Sequence, residues 1–115
     1  LEHTAAAATL EAMGQEMNAK KTYEKVLSKW PSSLAALIGM GNITYREKKY
    51  QDSLTYLTKA TNLHPTSALA WHNLAIIQGE LKQNKAAKIS AKKALVLADQ
   101  RLAPKLKPSL AKWLD

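Results

Sequence analysis

The sequence of 115 residues contains no cysteine, which excludes disulfide bonds, thiolate nucleophiles and cysteine-ligated zinc or iron–sulfur centres. Phenylalanine is absent too, and there are only 4 glycines and 4 prolines, whereas 46% of the residues are hydrophobic. This composition, in which alanine and leucine supply much of the apolar content, predicts a helical, globular chain and not a disordered one. A chain of this length can bury a single hydrophobic core.

Sequence signatures of catalysis and of membrane insertion are also missing. No apolar run approaches the ~18 residues that a membrane span needs, and no signal peptide is recognisable. Neither a phosphate-binding glycine loop nor a nucleophile elbow is present. The three histidines, His3, His64 and His72, lack the spacing of a zinc motif. The sequence therefore predicts a protein that is not an enzyme, with no catalytic residue, no metal and no cofactor.

The formal net charge of +8 is concentrated in the second half of the chain. Residues 1–65 carry eight Lys/Arg and six Asp/Glu, a net of +2, whereas residues 66–115 carry nine and three, a net of +6. Such a surface can meet nucleic acid, anionic lipid or an acidic protein, or can be a solvated helix face. The clustered lysines lack the interleaved aromatic residues of single-strand binders, which disfavours nucleic acid. They are Lys82, Lys85, Lys88, Lys92 and Lys93.

One fixed spacing recurs along the sequence. Pro31 and Pro65 are 34 positions apart, and each is followed by small hydroxyl residues that can cap a helix. The same spacing relates pairs of apolar or small residues: Leu37 with Trp71, Met40 with Leu74, Gly41 with Ala75, and Ile43 with Ile77. Within each copy the apolar residues follow a helical period. A fixed spacing of this length is typical of stacked helical repeats.

Small residues on both helices of a copy predict that the two helices approach closely. Gly41 on the first helix should face Ser53 on the second, and their counterparts in the next copy should do the same. Trp71 and Leu74 are expected to fill the seam between the helices. Trp113, on an amphipathic segment at the end of the chain, is likewise expected in the core.

These units resemble tetratricopeptide repeats over about residues 4–98. The run that is similar to the family's W-x-x-L-G/A opening is Trp71-His72-Asn73-Leu74-Ala75. Further family positions are matched by Pro65, Ala87 and Ala94. The resemblance implies an all-α fold, a right-handed superhelical stack of antiparallel helix pairs with about three repeats and a C-terminal capping helix.

The expected boundaries follow from the spacing and the cap signals. We predict one domain over 1–115, with repeats at about 4–31, 32–65 and 66–99 and a capping segment at 100–115. Within the repeats we expect helices at about 4–14, 16–29, 33–46, 50–63, 67–81 and 84–98. A connector at 101–107 should lead to a last helix after Pro108, which would place Leu110, Trp113 and Leu114 on one face.

In this family the first helix of each pair lines a concave groove whose residues select the ligand. The positions implied by register are Ile38, Asn42, Tyr45, Arg46, Leu69, His72, Asn73, Ile76 and Glu80. Among them, Asn42 and Asn73 could hydrogen-bond the backbone of an extended peptide. Chaperone-binding members hold a C-terminal carboxylate with lysines at the places of Ile38 and Leu69, so a more apolar groove and a different ligand are expected here.

The resemblance thus implies a scaffold that binds a protein or peptide and has no catalysis of its own. A second resemblance, of residues 30–42 to the repeat region of bacterial cysteine peptidases of the bacteriocin-processing type, implies an accessory domain of a larger hydrolase whose catalytic domain lies upstream. The compartment is left open, with a soluble protein of the bacterial cytoplasm or periplasm as the expectation. A third alternative is nonspecific binding of nucleic acid or an acidic partner by the basic half. The oligomeric state is left open.

Overall fold

The computed structural model describes residues 7, 8 and 14–114, and over these residues the chain is all helical. Its elements are α1 (Glu16–Lys29), α2 (Leu34–Arg46), α3 (Tyr50–Leu63), α4 (Ala68–Glu80), α5 (Asn84–Leu97), α6 (Ala103–Leu110) and a 3-10 helix (Ala111–Trp113). The five helices predicted between 16 and 98 are confirmed to within one residue at each end. Of the predicted helix 4–14 the structure describes Ala7 and Ala8, which are helical, and Gly14, which lies in a turn before α1. No helix in the described part is long and apolar enough to cross a membrane.

Repeat-related serines begin α2 and α4. Ser33 Oγ accepts a hydrogen bond from the backbone N–H of Ala36 at 3.3 Å, and Ser67 Oγ accepts one from Ala70 at 3.1 Å. Each bond satisfies a first-turn donor that has no partner within the helix. The proline two residues before each serine lies in the preceding turn. The helix starts predicted from the prolines and hydroxyl residues are therefore confirmed.

The ends of α2 and α4 are also related by the repeat, because both close in a Schellman motif with a left-handed lysine. Lys48 has φ of 62° and Lys82 has φ of 63°. The N–H of Lys48 donates to the carbonyl of Tyr45 at 2.9 Å, and the N–H of Lys49 donates to that of Thr44 at 2.8 Å. The same two bonds recur one repeat later. These motifs turn the chain back so that α3 packs on α2 and α5 packs on α4.

The contact between Gly41 and Ser53 holds α2 close to α3, as predicted. Ser53 is fully buried, and its hydroxyl donates to the carbonyl of Gly41 at 2.8 Å. A Cβ added at Gly41 would lie 2.7 Å from the side chain of Leu57. Their counterparts in the next pair, Ala75 and Ala87, are both fully buried in one core cluster. Residues without large side chains thus set the distance between the paired helices.

Trp71 corrects the prediction of a core tryptophan, because it is only partly buried. Its indole N–H donates to the carbonyl of Pro65 at 2.9 Å, and the ammonium of Lys93 lies 4.4 Å from the ring centroid. Leu37, its counterpart one repeat earlier, is 1% exposed. The larger indole extends from the equivalent position to the surface. Trp113, in contrast, is buried as predicted.

The prediction that the last helix follows Pro108 is wrong. α6 begins at Ala103, carries Pro104 in its first turn and includes Pro108 in its interior. The turn before it is held by Asp99, whose Oδ1 accepts the backbone N–H groups of Arg101 and Leu102 at 3.0 and 2.8 Å. Pro108 costs α6 one backbone hydrogen bond, which the packing of the helix offsets. Most of the predicted connector 101–107 is therefore helical.

The C-terminal segment covers the last helix pair, α4 and α5. Leu106, Leu110 and Trp113 are buried and join a core cluster with Ala91 of α5. The indole of Trp113 packs directly on the backbone of α4 at Gly79. This segment thus covers apolar surface that α4 and α5 would otherwise expose to water.

Candidate functional site

A cleft of about 170 Å³ lies between α2 and α4, the first helices of two successive pairs. Five of its lining residues belong to the groove predicted from the sequence: Asn42, Tyr45, His72, Asn73 and Ile76. Beneath them lie the buried side chains of Leu57 and Ile77. The structure therefore brings most of the polar groove positions together above an apolar floor.

An amide pair joins the two helices across the cleft. Asn73 Nδ2 donates to Asn42 Oδ1 at 2.9 Å. Asn42 Nδ2 has no hydrogen-bond partner among the described residues, so its two N–H groups stay available to a ligand. The pair links the two helices and leaves the amide donor of Asn42 at the lining of the cleft.

His72 extends this network to the capping segment. Its Nδ1 lies 2.7 Å from Asn73 Oδ1, and its Nε2 lies 2.7 Å from the hydroxyl of Ser109 on α6. Because the amide oxygen can only accept, His72 Nδ1 is assigned as the donor in this contact. A chain of side-chain contacts thus runs from Asn42 on α2 through α4 to α6.

Tyr45 and Glu80 form the acidic end of the groove. Tyr45 Oη donates to Glu80 Oε1 at 3.3 Å, and the ring packs against Tyr50 with centroids 5.7 Å apart. Burial, and then the negative charge and hydrogen bond of Glu80, raise the pKa of Tyr45 above its ordinary value of 10.0. The phenol is therefore a neutral donor at physiological pH.

The other predicted groove residues differ in their contacts and in their exposure to solvent. Arg46 forms an ion pair with Glu16 of α1. Leu69 is 42% exposed, whereas Ile38 is only 8% exposed because it packs in the central core cluster. Ile38 consequently offers little surface to a ligand. The assignment of the groove residues as ligand contacts stays a prediction.

Ser109 was missed by the sequence analysis, because the segment before it was assigned to a connector and no sequence signal links it to His72. The buried floor of the cleft was not predicted as part of the site either. Among the described residues, no group of three or more His, Asp or Glu is placed to hold a metal ion. His3, one of the histidines considered above, lies outside the described residues.

Models of the tetratricopeptide repeat match the sequence at residues 5–33 and 56–89, which together cover more than half of the chain. The match at residues 56–89 spans 34 residues, the same number as the repeat spacing found in the sequence. Superkiller complex protein 3 of Mus musculus is 35% identical over 63 residues, which are 55% of this chain and 4% of that protein. The chain therefore corresponds to a small part of that relative's length.

Solved structures share the fold over nearly the whole chain. MamA superposes with a TM-score of 0.78 at 21% identity, covering 93% of this chain and 61% of that one. The Sgt2 TPR domain from Aspergillus fumigatus gives 0.77 at 17% identity, covering 96% and 78%. The first TPR of Spaghetti (RPAP3), bound to the HSP90 peptide SRMEEVD, gives 0.79 at 17% identity, covering 95% and 90%. With its fixed repeat spacing, its paired helices and the matches of both repeat models, the chain belongs to the tetratricopeptide repeat family.

Proposed function

We propose that the chain is a protein-interaction module that binds an extended peptide segment in the cleft between α2 and α4 and carries out no reaction itself. The observation that carries this proposal is the amide pair of Asn42 and Asn73, set across an apolar-floored cleft with a donor to spare. An extended peptide offers one backbone donor and one acceptor at each residue, which is the pattern that an asparagine side chain can match.

The apolar part of the cleft would hold a side chain of the ligand. Ile76 and the Tyr45 ring line the cleft, above the buried Leu57. Burying one aliphatic side chain against them is worth about 1.5–3 kcal/mol, which is comparable to the contribution of the two amides. Affinity would thus come from both backbone recognition and one anchoring side chain.

The charges around the cleft argue against a ligand held by its C-terminal carboxylate. Spaghetti is bound to an HSP90 peptide that contains two glutamates and ends in an aspartate. In the present chain Ile38 is buried, Leu69 is apolar, and Glu80 places a negative charge at one end of the groove. We therefore infer a ligand that is neutral or basic where it passes Glu80.

The proposal is tested by selecting ligands from a displayed library of random linear peptides and measuring the affinity of the selected peptides. The double variant Asn42→Ala with Asn73→Ala should bind them about tenfold more weakly or worse, since two hydrogen bonds of roughly 0.5–1.5 kcal/mol each are lost. The control variant, Lys85→Gln with Lys88→Gln, should keep the affinity. Cooperative melting of both variants well above the assay temperature would establish that they are folded during the measurement.

The contrary result is equally clear. If the lysine variant abolishes binding of every selected peptide and the asparagine variant leaves it intact, the groove is not the binding site. The alternatives of an accessory domain and of nucleic-acid binding stay predictions. We do not prefer them, because no contact described above favours either of them.

A further inference from the structure

A second cavity, of about 370 Å³, opens on a different surface of the repeat stack. It lies between the turn that precedes α4, the first part of α4 and the C-terminal half of α5, and we call it the Trp71 pocket. Its lining residues are Pro65, Trp71, Lys92, Lys93, Val96 and Leu97. None of them lines the cleft between α2 and α4. A ligand of this pocket would therefore be independent of the proposed groove ligand.

Apolar surface is exposed to solvent around the Trp71 pocket. Val96 is 84% exposed and is the most exposed of the large hydrophobic side chains in the described part of the chain. Leu97 beside it is 38% exposed, and Trp71 is only partly buried. Isolated apolar residues on a surface need no explanation, but a cavity bordered by three of them is typical of a binding site.

The rim of the pocket is positively charged. α5 carries four exposed lysines and no Asp or Glu, namely Lys85, Lys88, Lys92 and Lys93. No carboxylate of the described residues forms an ion pair with any of them. Between residues 81 and 114 there are nine Lys/Arg and one Asp. The acidic residues of this part of the chain thus do not neutralise its positive charge, which favours an anionic partner.

The position of Lys93 distinguishes between anionic partners. Its ammonium lies 4.4 Å from the centroid of the Trp71 ring and covers one face of the indole. Nucleic-acid bases bind to such a ring by stacking on its face, and no second aromatic residue lines the pocket to take over that role. A membrane surface would favour protruding large apolar side chains over a recess. A second copy of this chain would bring a further net charge of +8.

We propose that the Trp71 pocket binds an acidic peptide segment. One large apolar side chain of the segment fills the space between Trp71, Val96 and Leu97. Carboxylates on either side of that anchor pair with Lys92 and Lys93. The apolar anchor supplies most of the affinity, and the lysines supply orientation and rapid association.

The preceding repeat supplies an internal comparison. A cavity of about 370 Å³ lies one repeat earlier, and three of its lining residues, Pro31, Leu37 and Lys59, stand 34 positions before residues of the Trp71 pocket. There Glu24 also lines the cavity, and Thr58 stands at the position that corresponds to Lys92. The earlier cavity thus has a balanced rim. Of the two cavities, only the Trp71 pocket has two lysines and no carboxylate among its lining residues, together with the exposed side chain of Val96.

The test uses the full chain and a fluorescein-labelled peptide of glutamates around one central phenylalanine, with binding followed by fluorescence anisotropy. Lys92→Gln with Lys93→Gln should weaken binding by about fivefold to tenfold, the scale of two partly exposed ion pairs. Val96→Ser should weaken it about threefold through lost apolar contact. The repeat-matched control Lys59→Gln should leave the affinity unchanged, as should Asn42→Ala with Asn73→Ala.

Several results would overturn the proposal. Equal binding of a peptide with alanine in place of the phenylalanine would mean that the pocket holds no anchor. An equal loss of affinity in Lys59→Gln would mean that the peptide responds only to the total positive charge. A loss of affinity in the asparagine variant would mean that the peptide binds in the cleft between α2 and α4. Tighter binding of random single-stranded DNA, or of phosphatidylserine vesicles, with the same dependence on Lys92 and Lys93 would assign this surface to nucleic acid or to lipid.

Discussion

The indole of Trp113 occupies the space that a side chain at Gly79 would need. A Cβ built on Gly79 would lie 2.1 Å from Cζ2 of Trp113, far inside van der Waals contact. Because Gly79 belongs to α4 and Trp113 to the 3-10 helix after α6, this contact docks the capping segment on the last repeat. Glycine at this position lowers the helix propensity of α4 but allows the capping segment to approach the backbone closely.

Gly79→Ala should therefore lower the free energy of unfolding by about 1–3 kcal/mol, the usual cost of inserting a methyl group into a filled site. The 3-10 helix and α6 should loosen together, with increased hydrogen exchange of their amides. Urea unfolding followed by circular dichroism measures the first effect. In a Trp113→Ala background the same change should become neutral or stabilise by up to about 1 kcal/mol, because only the propensity of alanine remains. An equal cost in both backgrounds would contradict the contact.

Lys48 and Lys82 should be sites of stabilisation by glycine. Both have the left-handed conformation, which costs a residue with a Cβ roughly 1 kcal/mol and costs glycine almost nothing. Lys48→Gly and Lys82→Gly should each raise the denaturant midpoint, and the two gains should add because the turns are one repeat apart. Lys82→Ala is the matched control and should give no gain. A fall in stability in both glycine variants would mean that the lysine side chains matter more than their backbone conformation.

The amide pair should be measurable in a double-mutant cycle of unfolding free energies. Asn42→Ala and Asn73→Ala both remove the bond between α2 and α4, so the coupling between the two substitutions should be about 0.5–1.5 kcal/mol. Asn73→Ala should be the costlier single change, since it also removes the acceptor of His72 Nδ1. Additive effects would show that the two amides do not interact in solution.

Alkaline pH should distinguish Tyr45 from an exposed tyrosine. Burial and then Glu80 raise the pKa of Tyr45, and burial with Glu24 and Asp52 raises the pKa of Tyr56. A raised pKa in the folded state gives stability that is fully present below the unfolded value of 10.0 and is lost as the pH rises through the folded value. Ultraviolet titration of the phenols should show late ionisation of Tyr45 and Tyr56. Glu80→Gln should shift one of them toward the ordinary value, but not fully, because burial remains.

The sequence predicted the helices of the repeats well because their signals are local. Ser33 and Ser67 each accept a hydrogen bond from the backbone N–H group three residues later, which caps the helix. The period of the apolar residues fixes which face of each helix is buried. The start of α6 was misplaced for an equally local reason. Pro104 and Pro108 both suit a first helical turn, and α6 has no side-chain cap at its start that would mark the earlier one in the sequence.

The site was predicted less completely, because its contacts depend on how the repeats stack. Asn42 and Asn73 are 31 positions apart, so the repeat spacing does not pair them, and only the offset between α2 and α4 brings their amides together. Family register predicts Ile38 in the groove, yet Ile38 is buried in a core cluster with Leu37 and Leu57. Trp71 and Leu37 occupy equivalent positions, but the larger indole is only partly buried whereas Leu37 is buried. The apolar pattern marks both positions as hydrophobic and does not distinguish their exposure.

The hydrogen bond between His72 and Ser109 links the cleft and the cap thermodynamically. Any ligand that recruits Nε2 of His72 must release Ser109, so that ligand and the docked α6 compete for one nitrogen atom. By reciprocity, the factor by which such a ligand weakens cap docking equals the factor by which the docked cap weakens its affinity. Ser109→Ala would abolish this antagonism and tighten the binding of that ligand, while a ligand that leaves His72 in place would bind both forms equally.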